Sequence, residues 1–133
     1  MYSVARPLSV LLVLILGACD TFEQFPSVRV DGVSLETDGP DDGIPATIPL
    51  VLRNSSTGAV RANACATVEQ RVEERWTADG LSDRPCDQAP IVVEPDSSYL
   101  EYVDVDYLPN GTYRFVQETS AGTVASSSLR IDR

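Results

Sequence analysis

The chain has 133 residues, with 20 acidic side chains, 10 basic ones, no histidine and a formal net charge of −10. Every basic residue is an arginine. The negative charge argues against nucleic acid or an anionic lipid surface as partner. The absence of histidine and lysine removes the usual bases that activate a serine or cysteine nucleophile. We therefore expect no catalytic residue and no cofactor.

The first eighteen residues have the pattern of an export signal. Residues 1–6 carry one positive charge, from Arg6, and no acid, and residues 7–18 are apolar apart from Ser9. A helix over residues 7–18 would span about 18 Å, which is shorter than the ~30 Å hydrocarbon core of a bilayer. The segment is therefore predicted to be removed and not to remain as a membrane span.

The signal ends in Leu16-Gly17-Ala18-Cys19, which resembles the lipobox of bacterial lipoproteins. The resemblance implies cleavage before Cys19 and a diacylglyceryl group on its thiol, so that acyl chains hold an exported protein on a bacterial membrane, on the periplasmic or cell-surface side. It divides the chain into a signal peptide (1–18), a lipidated tether (19–26) and one domain (27–133). The alternatives are an ordinary secretory signal with an incidental cysteine, and an uncleaved interfacial anchor.

The other two cysteines are expected to pair. With Cys19 assigned to the lipid, Cys65 and Cys86 remain, and an export signal implies an oxidising compartment. A disulfide between them would stabilise the domain by about 3 kcal/mol by restricting the unfolded chain. The alternative is a pair of reduced, buried thiols.

The rest of the chain is predicted to form short strands, because apolar and polar residues alternate between clusters of turn residues. The predicted strands are 28–35, 47–53, 60–72, a short segment around Trp76, 91–93, 99–107, 112–118 and 124–131. In 60–72 the alternation places Cys65 on the polar face. In 99–107 the apolar set changes face after Tyr102, which predicts a bulge. Strands of this length and spacing favour a single antiparallel β-sandwich.

One local motif resembles a known family. Residues 108–115, Leu-Pro-Asn-Gly-Thr-Tyr-Arg-Phe, resemble the corner of immunoglobulin-like and fibronectin-like domains, where a tyrosine hydroxyl bonds to upstream backbone. The wider run 48–131 resembles immunoglobulin-like domains of bacterial lipoproteins. The resemblance implies that Tyr113 is a structural corner residue, and Trp76 is expected to be a packing anchor.

Two sets of carboxylates are candidate sites, each with a plainer interpretation. Asp104 and Asp106 would project from one face of a strand and could act as an acid–base pair, although such neighbours are usually solvated. Asp38, Asp41 and Asp42 are weak candidates for calcium ligands, but their spacing does not match the twelve-residue calcium loop, and a plain acidic loop is the alternative.

We therefore expect a non-catalytic binding or structural module at the cell envelope, where loops or an open sheet edge contact another protein or a glycan. One alternative is a protease inhibitor that presents the disulfide-held loop 79–88. The other is an enzyme that uses Asp104 and Asp106.

Overall fold

A computed structural model describes residues 24–37, 46–79, 81, 86 and 88–133. Its strands are β1 (Val33–Thr37), β2 (Thr47–Asn54), β3 (Val60–Ala62), β4 (Thr67–Val72), β5 (Arg75–Thr77), β6 (Ile91–Val93), β7 (Ser97–Asp104), β8 (Gly111–Thr119), β9 (Gly122–Ala125) and β10 (Leu129–Ile131). This part of the chain contains no helix, and therefore none that is long and apolar enough to cross a membrane.

The strands form two antiparallel sheets that pack together. The first sheet has the order β1-β2-β7. The second is built around β8, with β3 and β4 in succession along one edge and β9 and β10 along the other. Strands β5 and β6 pair with the outer sides of β4 and β3. The predicted fold class, an all-β antiparallel sandwich, is confirmed.

Alternating side chains fill the space between the sheets. Strand β2 buries Ile48, Leu50 and Leu52, and β8 buries Tyr113 and Phe115, as expected for strands with one face turned inward. Each such apolar side chain contributes roughly 1.5–3 kcal/mol when it is fully buried. The rest of this core is formed by Val33, Leu35, Val60, Ala62, Val68, Leu81, Val93, Val105, Leu108, Val124 and Ile131.

The predicted strand 60–72 is wrong as one continuous element. Ala62 pairs with Thr119 and Thr67 with Val116, so four residues on this side span only two on β8 and the ladder is interrupted. The side-chain amide of Gln117, itself buried, donates to the carbonyl of Asn63 in this interruption. Residues 63–66 therefore leave the regular ladder, and Cys65 lies among them.

The predicted first strand, 28–35, also divides. Asp31 and Gly32 have positive φ angles of 47° and 81° and form a turn before β1. Before this turn, Val28 exchanges two backbone hydrogen bonds with Ala125 of β9. Residues 28–30 therefore lie on the edge of the second sheet, and the chain crosses to the first sheet through the turn.

The β4–β5 hairpin has an unusual turn. Val72 pairs with Arg75, which leaves Glu73 and Glu74 as a two-residue loop, and their φ angles are +48° and +66°. Two-residue hairpin loops of this kind favour asparagine and glycine, because left-handed backbone is costly for other side chains. The glutamates hold the turn that places Trp76 on β5.

Candidate functional site

The bulge predicted in 99–107 is absent. Strand β7 pairs with β2 without interruption, from Thr47 opposite Asp104 to Asn54 opposite Ser97. With a regular pleat, Leu100 and Tyr102 point outward and Glu101 points inward, beside Leu50 of β2. The apolar residues therefore change face without a bulge, because an acidic residue occupies the inward position 101.

Strand β7 has a second edge that pairs with no strand in the described part of the chain. In a seven-strand immunoglobulin sandwich, the fourth strand covers the corresponding edge. Here the strand at that point in the chain, β6, pairs with β3 in the other sheet instead. The backbone along this eight-residue edge therefore has groups that can pair with an added strand.

The outer face beside this edge is apolar. Leu100 is 49% exposed and Tyr102 is 68% exposed. In the register of the first sheet, Leu100 lies opposite Val51 and Tyr102 opposite Pro49, both half-buried. We call these four residues the β7 patch. Large exposed apolar side chains grouped beside an open strand edge are typical of an interaction surface.

Glu101 is the unsatisfied polar group of this region. Its Oε2 atom is buried and has no hydrogen-bond partner among the described residues. Burial raises the pKa of Glu101 above its ordinary value of 4.5, and the nearby backbone N–H of Ala66 opposes this shift. The inward acid leaves one hydrogen-bond acceptor at the open edge without a donor.

A second surface feature lies on the outer face of the second sheet, and we call Phe25, Arg71, Trp76 and Arg114 the Trp76 cluster. The rings of Phe25 and Trp76 meet edge to face, with centroids 5.4 Å apart. The guanidinium carbon of Arg71 lies 4.6 Å from the Phe25 centroid and 5.5 Å from that of Trp76. The guanidinium carbon of Arg114 lies 4.6 Å from the Trp76 centroid. Trp76 thus packs on the sheet surface, half-buried, and not in the core.

Phe25 of the Trp76 cluster lies within the predicted tether, residues 19–26. The backbone N–H of Phe25 donates to Ser128 Oγ at 2.7 Å, and the N–H of Ser128 donates to the carbonyl of Phe25 at 2.9 Å. Arg114 also pairs with Glu69 at 2.8 Å. The chain is therefore fixed to the domain from Phe25 onward.

The predicted disulfide between Cys65 and Cys86 is present, with Cα atoms 5.7 Å apart. Cys65 is half-buried in the interruption between β3 and β4, and Cys86 is exposed. The covalent loop that they close contains the β4–β5 hairpin, and so it carries Trp76. The bond joins surface segments of the second sheet and holds this hairpin.

The hydroxyl of Tyr113 donates to the carbonyl of Pro109, four residues upstream, and the side chain is fully buried. Burial raises the pKa of Tyr113 above its ordinary value of 10.0, and the positive charge of Arg133 opposes this shift. Tyr113 thus has the contact expected of a corner residue, and it closes the turn before β8.

The carboxylate candidates have different positions. Asp104 ends β7, and its Oδ1 accepts the backbone N–H of Asp106 at 3.0 Å, so the two residues form a turn and not a pair on one strand face. Asp38, Asp41 and Asp42 lie outside the described residues, as does Cys19. Within the described ranges, no three potential metal-ligating side chains come together. The calcium and lipid hypotheses stay predictions.

Sequence reasoning missed Asn54 and Glu101. Asn54 is 1% exposed, and its amide donates to the carbonyls of Gly58 and Val93 while its Oδ1 accepts from Ser56. It thereby ties β2 of the first sheet to β6 of the second. Its position at the end of a strand suggests only a turn residue. For Glu101 the usable signal was the alternation of Leu100 and Tyr102 around it.

Comparisons with known proteins add no relative. No family model matches the sequence, and no curated protein and no solved structure shows a significant match.

Proposed function

We propose that this protein is an exported lipoprotein, anchored through Cys19, whose β-sandwich is a non-catalytic binding module at the cell envelope. Its binding surface is the free edge of β7, which takes an extended segment of another envelope protein as an added strand. The observation that carries this proposal is the eight-residue edge of β7, which no strand of the described residues pairs with, beside the exposed Leu100 and Tyr102. Strand addition supplies affinity through the backbone and specificity through alternate side chains.

The charges around β7 favour a basic partner segment. Glu94 and Asp96 precede the strand, Asp104 is its last residue and Asp106 follows it, and all four are exposed. Opposite charges would steer a segment with arginine or lysine near its ends into register. A side chain directly across from Glu101 would lie about 5 Å away on the same face, so a donor there would satisfy the free Oε2 atom.

A synthetic peptide with alternating valine and threonine and with arginine at both ends is a suitable probe. With the full-length protein, we expect its binding to slow amide hydrogen exchange along β7. Two versions of the peptide, each methylated on alternate backbone nitrogens of one side, test whether the peptide pairs with β7 through its backbone. Methylation on the side that faces β7 should abolish binding, and methylation on the opposite side should leave it intact.

Matched substitutions locate the surface. Leu100→Glu should weaken peptide binding, because it places a charge in the β7 patch. Val92→Glu is the control, since Val92 is 55% exposed on β6 but lies on the other sheet. Equal binding of both methylated peptides, or equal loss in both variants, would contradict strand addition at β7.

The anchor is tested separately. Mass spectrometry of the membrane-extracted protein should give an N-terminus at Cys19 that carries acyl chains. Cys19→Ser should lack the acyl mass and leave the chain uncleaved before position 19. A mature protein without acyl chains would refute the lipid anchor and leave the strand-addition proposal standing.

A further inference from the structure

We propose that the Trp76 cluster lies against the phosphate headgroups of the membrane that holds the protein. The proposal rests on acylation at Cys19, as proposed above, and it assigns a membrane-facing side to the sandwich. It does not depend on binding at β7.

The segment between Cys19 and the domain is short. Phe25 is fixed to Ser128 by hydrogen bonds to its N–H and from its carbonyl, and it follows Cys19 by six residues. Six extended residues reach at most about 21 Å. An acylated Cys19 at the bilayer surface therefore keeps Phe25, and the cluster that contains it, within that distance of the headgroups.

The side chains of the Trp76 cluster are of types that contact lipid headgroups. Trp76 and Phe25 present aromatic edges at the protein surface, and tryptophan in particular is enriched at the headgroup level of membranes. Arg71 stacks near both rings and has no carboxylate within ion-pair distance in the described ranges. A stacked guanidinium keeps N–H groups in its plane that can donate to phosphate oxygens.

After cleavage before Cys19 the protein keeps nine arginines and twenty acids, and this net charge of −11 predicts repulsion from an anionic surface, which Arg71 and Arg114 oppose only locally. At physiological salt, exposed charges farther away than about 8 Å are largely screened. Arg71 and Arg114 of the Trp76 cluster would come this close, with Glu69 as the acid paired to Arg114, and Asp20 and Glu23 lie in the sequence between the anchor and Phe25. The acyl chains supply the binding energy, so the Trp76 cluster has only to orient the domain.

This orientation leaves the β7 patch accessible. The patch lies on the outer face of the first sheet, and the Trp76 cluster lies on the outer face of the second. Packed sheets are separated by about 10 Å, so the two surfaces point in opposite directions. A domain that rests on the Trp76 cluster therefore presents Leu100 and Tyr102 away from the membrane.

Trp76 is the only tryptophan of the chain and serves as the probe. The mature acylated protein, which begins at Cys19, is reconstituted into vesicles of phosphatidylcholine and phosphatidylglycerol in which some headgroups carry a spin label. We expect the label to quench most of the Trp76 emission. Arg71→Gln should reduce this quenching in phosphatidylglycerol vesicles, because the side chain loses the charge that pairs with phosphate.

The matched control moves the single tryptophan to the other sheet. In Trp76→Phe/Tyr102→Trp, with the same anchor, we expect little quenching by the same lipids. Unquenched Trp76 in a protein that mass spectrometry shows to be acylated overturns the proposal, and so does equal quenching at both positions. A protein without acyl chains overturns the anchor and this orientation together.

Discussion

The carboxylate of Glu101 on β7 lies near the backbone N–H of Ala66, which belongs to the interruption between β3 and β4 and lowers the pKa of this carboxyl. This contact joins the open edge of the first sheet to the part of the second sheet that carries Cys65. The Oε2 atom of Glu101 is buried without a partner among the described residues. One side chain therefore links the two sheets and carries an unsatisfied acceptor at the proposed binding edge.

The pH dependence of stability should contain a contribution from Glu101. Burial raises its pKa above 4.5, so the folded state holds the proton at pH values where the unfolded state has released it. The stabilisation is complete below pH 4.5 and is lost as the pH rises through the folded-state pKa. In Glu101→Gln, the free energy of unfolding relative to the wild type should therefore increase from pH 4 to pH 8.

Urea unfolding at several pH values measures this difference. Glu118→Gln is the control, because it removes one exposed carboxylate from β8 and so changes the net charge equally. The comparison of the two variants isolates the effect of burial. A stability difference between Glu101→Gln and the wild type that stays constant with pH would show that burial does not perturb this carboxyl.

The hydroxyl of Tyr113 should contribute measurably to stability. Tyr113→Phe keeps the buried ring and removes the donor to the Pro109 carbonyl. We expect a loss of about 1 kcal/mol in the free energy of unfolding, as is typical of one hydrogen bond. Tyr107→Phe, at a residue 55% exposed, is the control and should change stability by less than about 0.5 kcal/mol. Equal stability of both variants would contradict a corner bond at Tyr113.

Much of the fold could be predicted from local patterns. The alternation in β2 identifies its inward residues Ile48, Leu50 and Leu52, because one face of the strand is buried. Cysteine parity leads to the bond between Cys65 and Cys86. These features depend on the period of a strand or on counting, and neither requires knowledge of the partner strands.

The features that define the candidate surfaces depend on contacts between distant segments. Strand β6 pairs with β3, which leaves β7 at the edge of the first sheet. The three residues of β6 do not by themselves determine which strand they pair with. The contact of Phe25 with Trp76 joins two residues that are 51 positions apart in the sequence. The interruption before Thr67 arises from pairing with β8, while the sequence alternation runs through it.

Asn54 should be among the polar residues most sensitive to substitution. Its amide donates to the carbonyls of Gly58 and Val93 at 2.8 and 2.9 Å, so Asn54→Ala removes a side-chain donor from the buried Val93 carbonyl. We expect a loss of about 2–4 kcal/mol in the free energy of unfolding. Asn110→Ala, which removes only exposed hydrogen bonds near the C-terminus, should cost less than about 1 kcal/mol. Similar losses in the two variants would rule out a special role for Asn54.

The turn of the β4–β5 hairpin can be improved. Glu73 and Glu74 both have left-handed backbone, which favours asparagine and glycine. Glu73→Asn/Glu74→Gly should raise the free energy of unfolding by about 1–2 kcal/mol. Glu73→Gln/Glu74→Gln removes the same two charges and keeps the side chains, so it separates charge repulsion from backbone strain. A gain of the same size in the glutamine variant would attribute the effect to charge.

The disulfide should stabilise the domain through the unfolded chain. Cys65 and Cys86 are 21 residues apart, and a crosslink of this span contributes about 3 kcal/mol by limiting the unfolded ensemble. Cys65→Ser/Cys86→Ser should lower the free energy of unfolding by about that amount. It should also steepen the dependence of unfolding on urea, because an uncrosslinked chain exposes more surface.

Trp76 lies inside the closed loop and reports this unfolding by fluorescence. The wild type after reduction is the matched control, since it lacks the crosslink but keeps both sulfur atoms. It should unfold at the same urea concentration as the double serine variant. If the reduced wild type were as stable as the oxidised protein, the crosslink would contribute nothing. The hairpin that carries Trp76 would then be held by the pairing of β4 with β8 and by the contacts of Trp76 with Phe25 and Arg114.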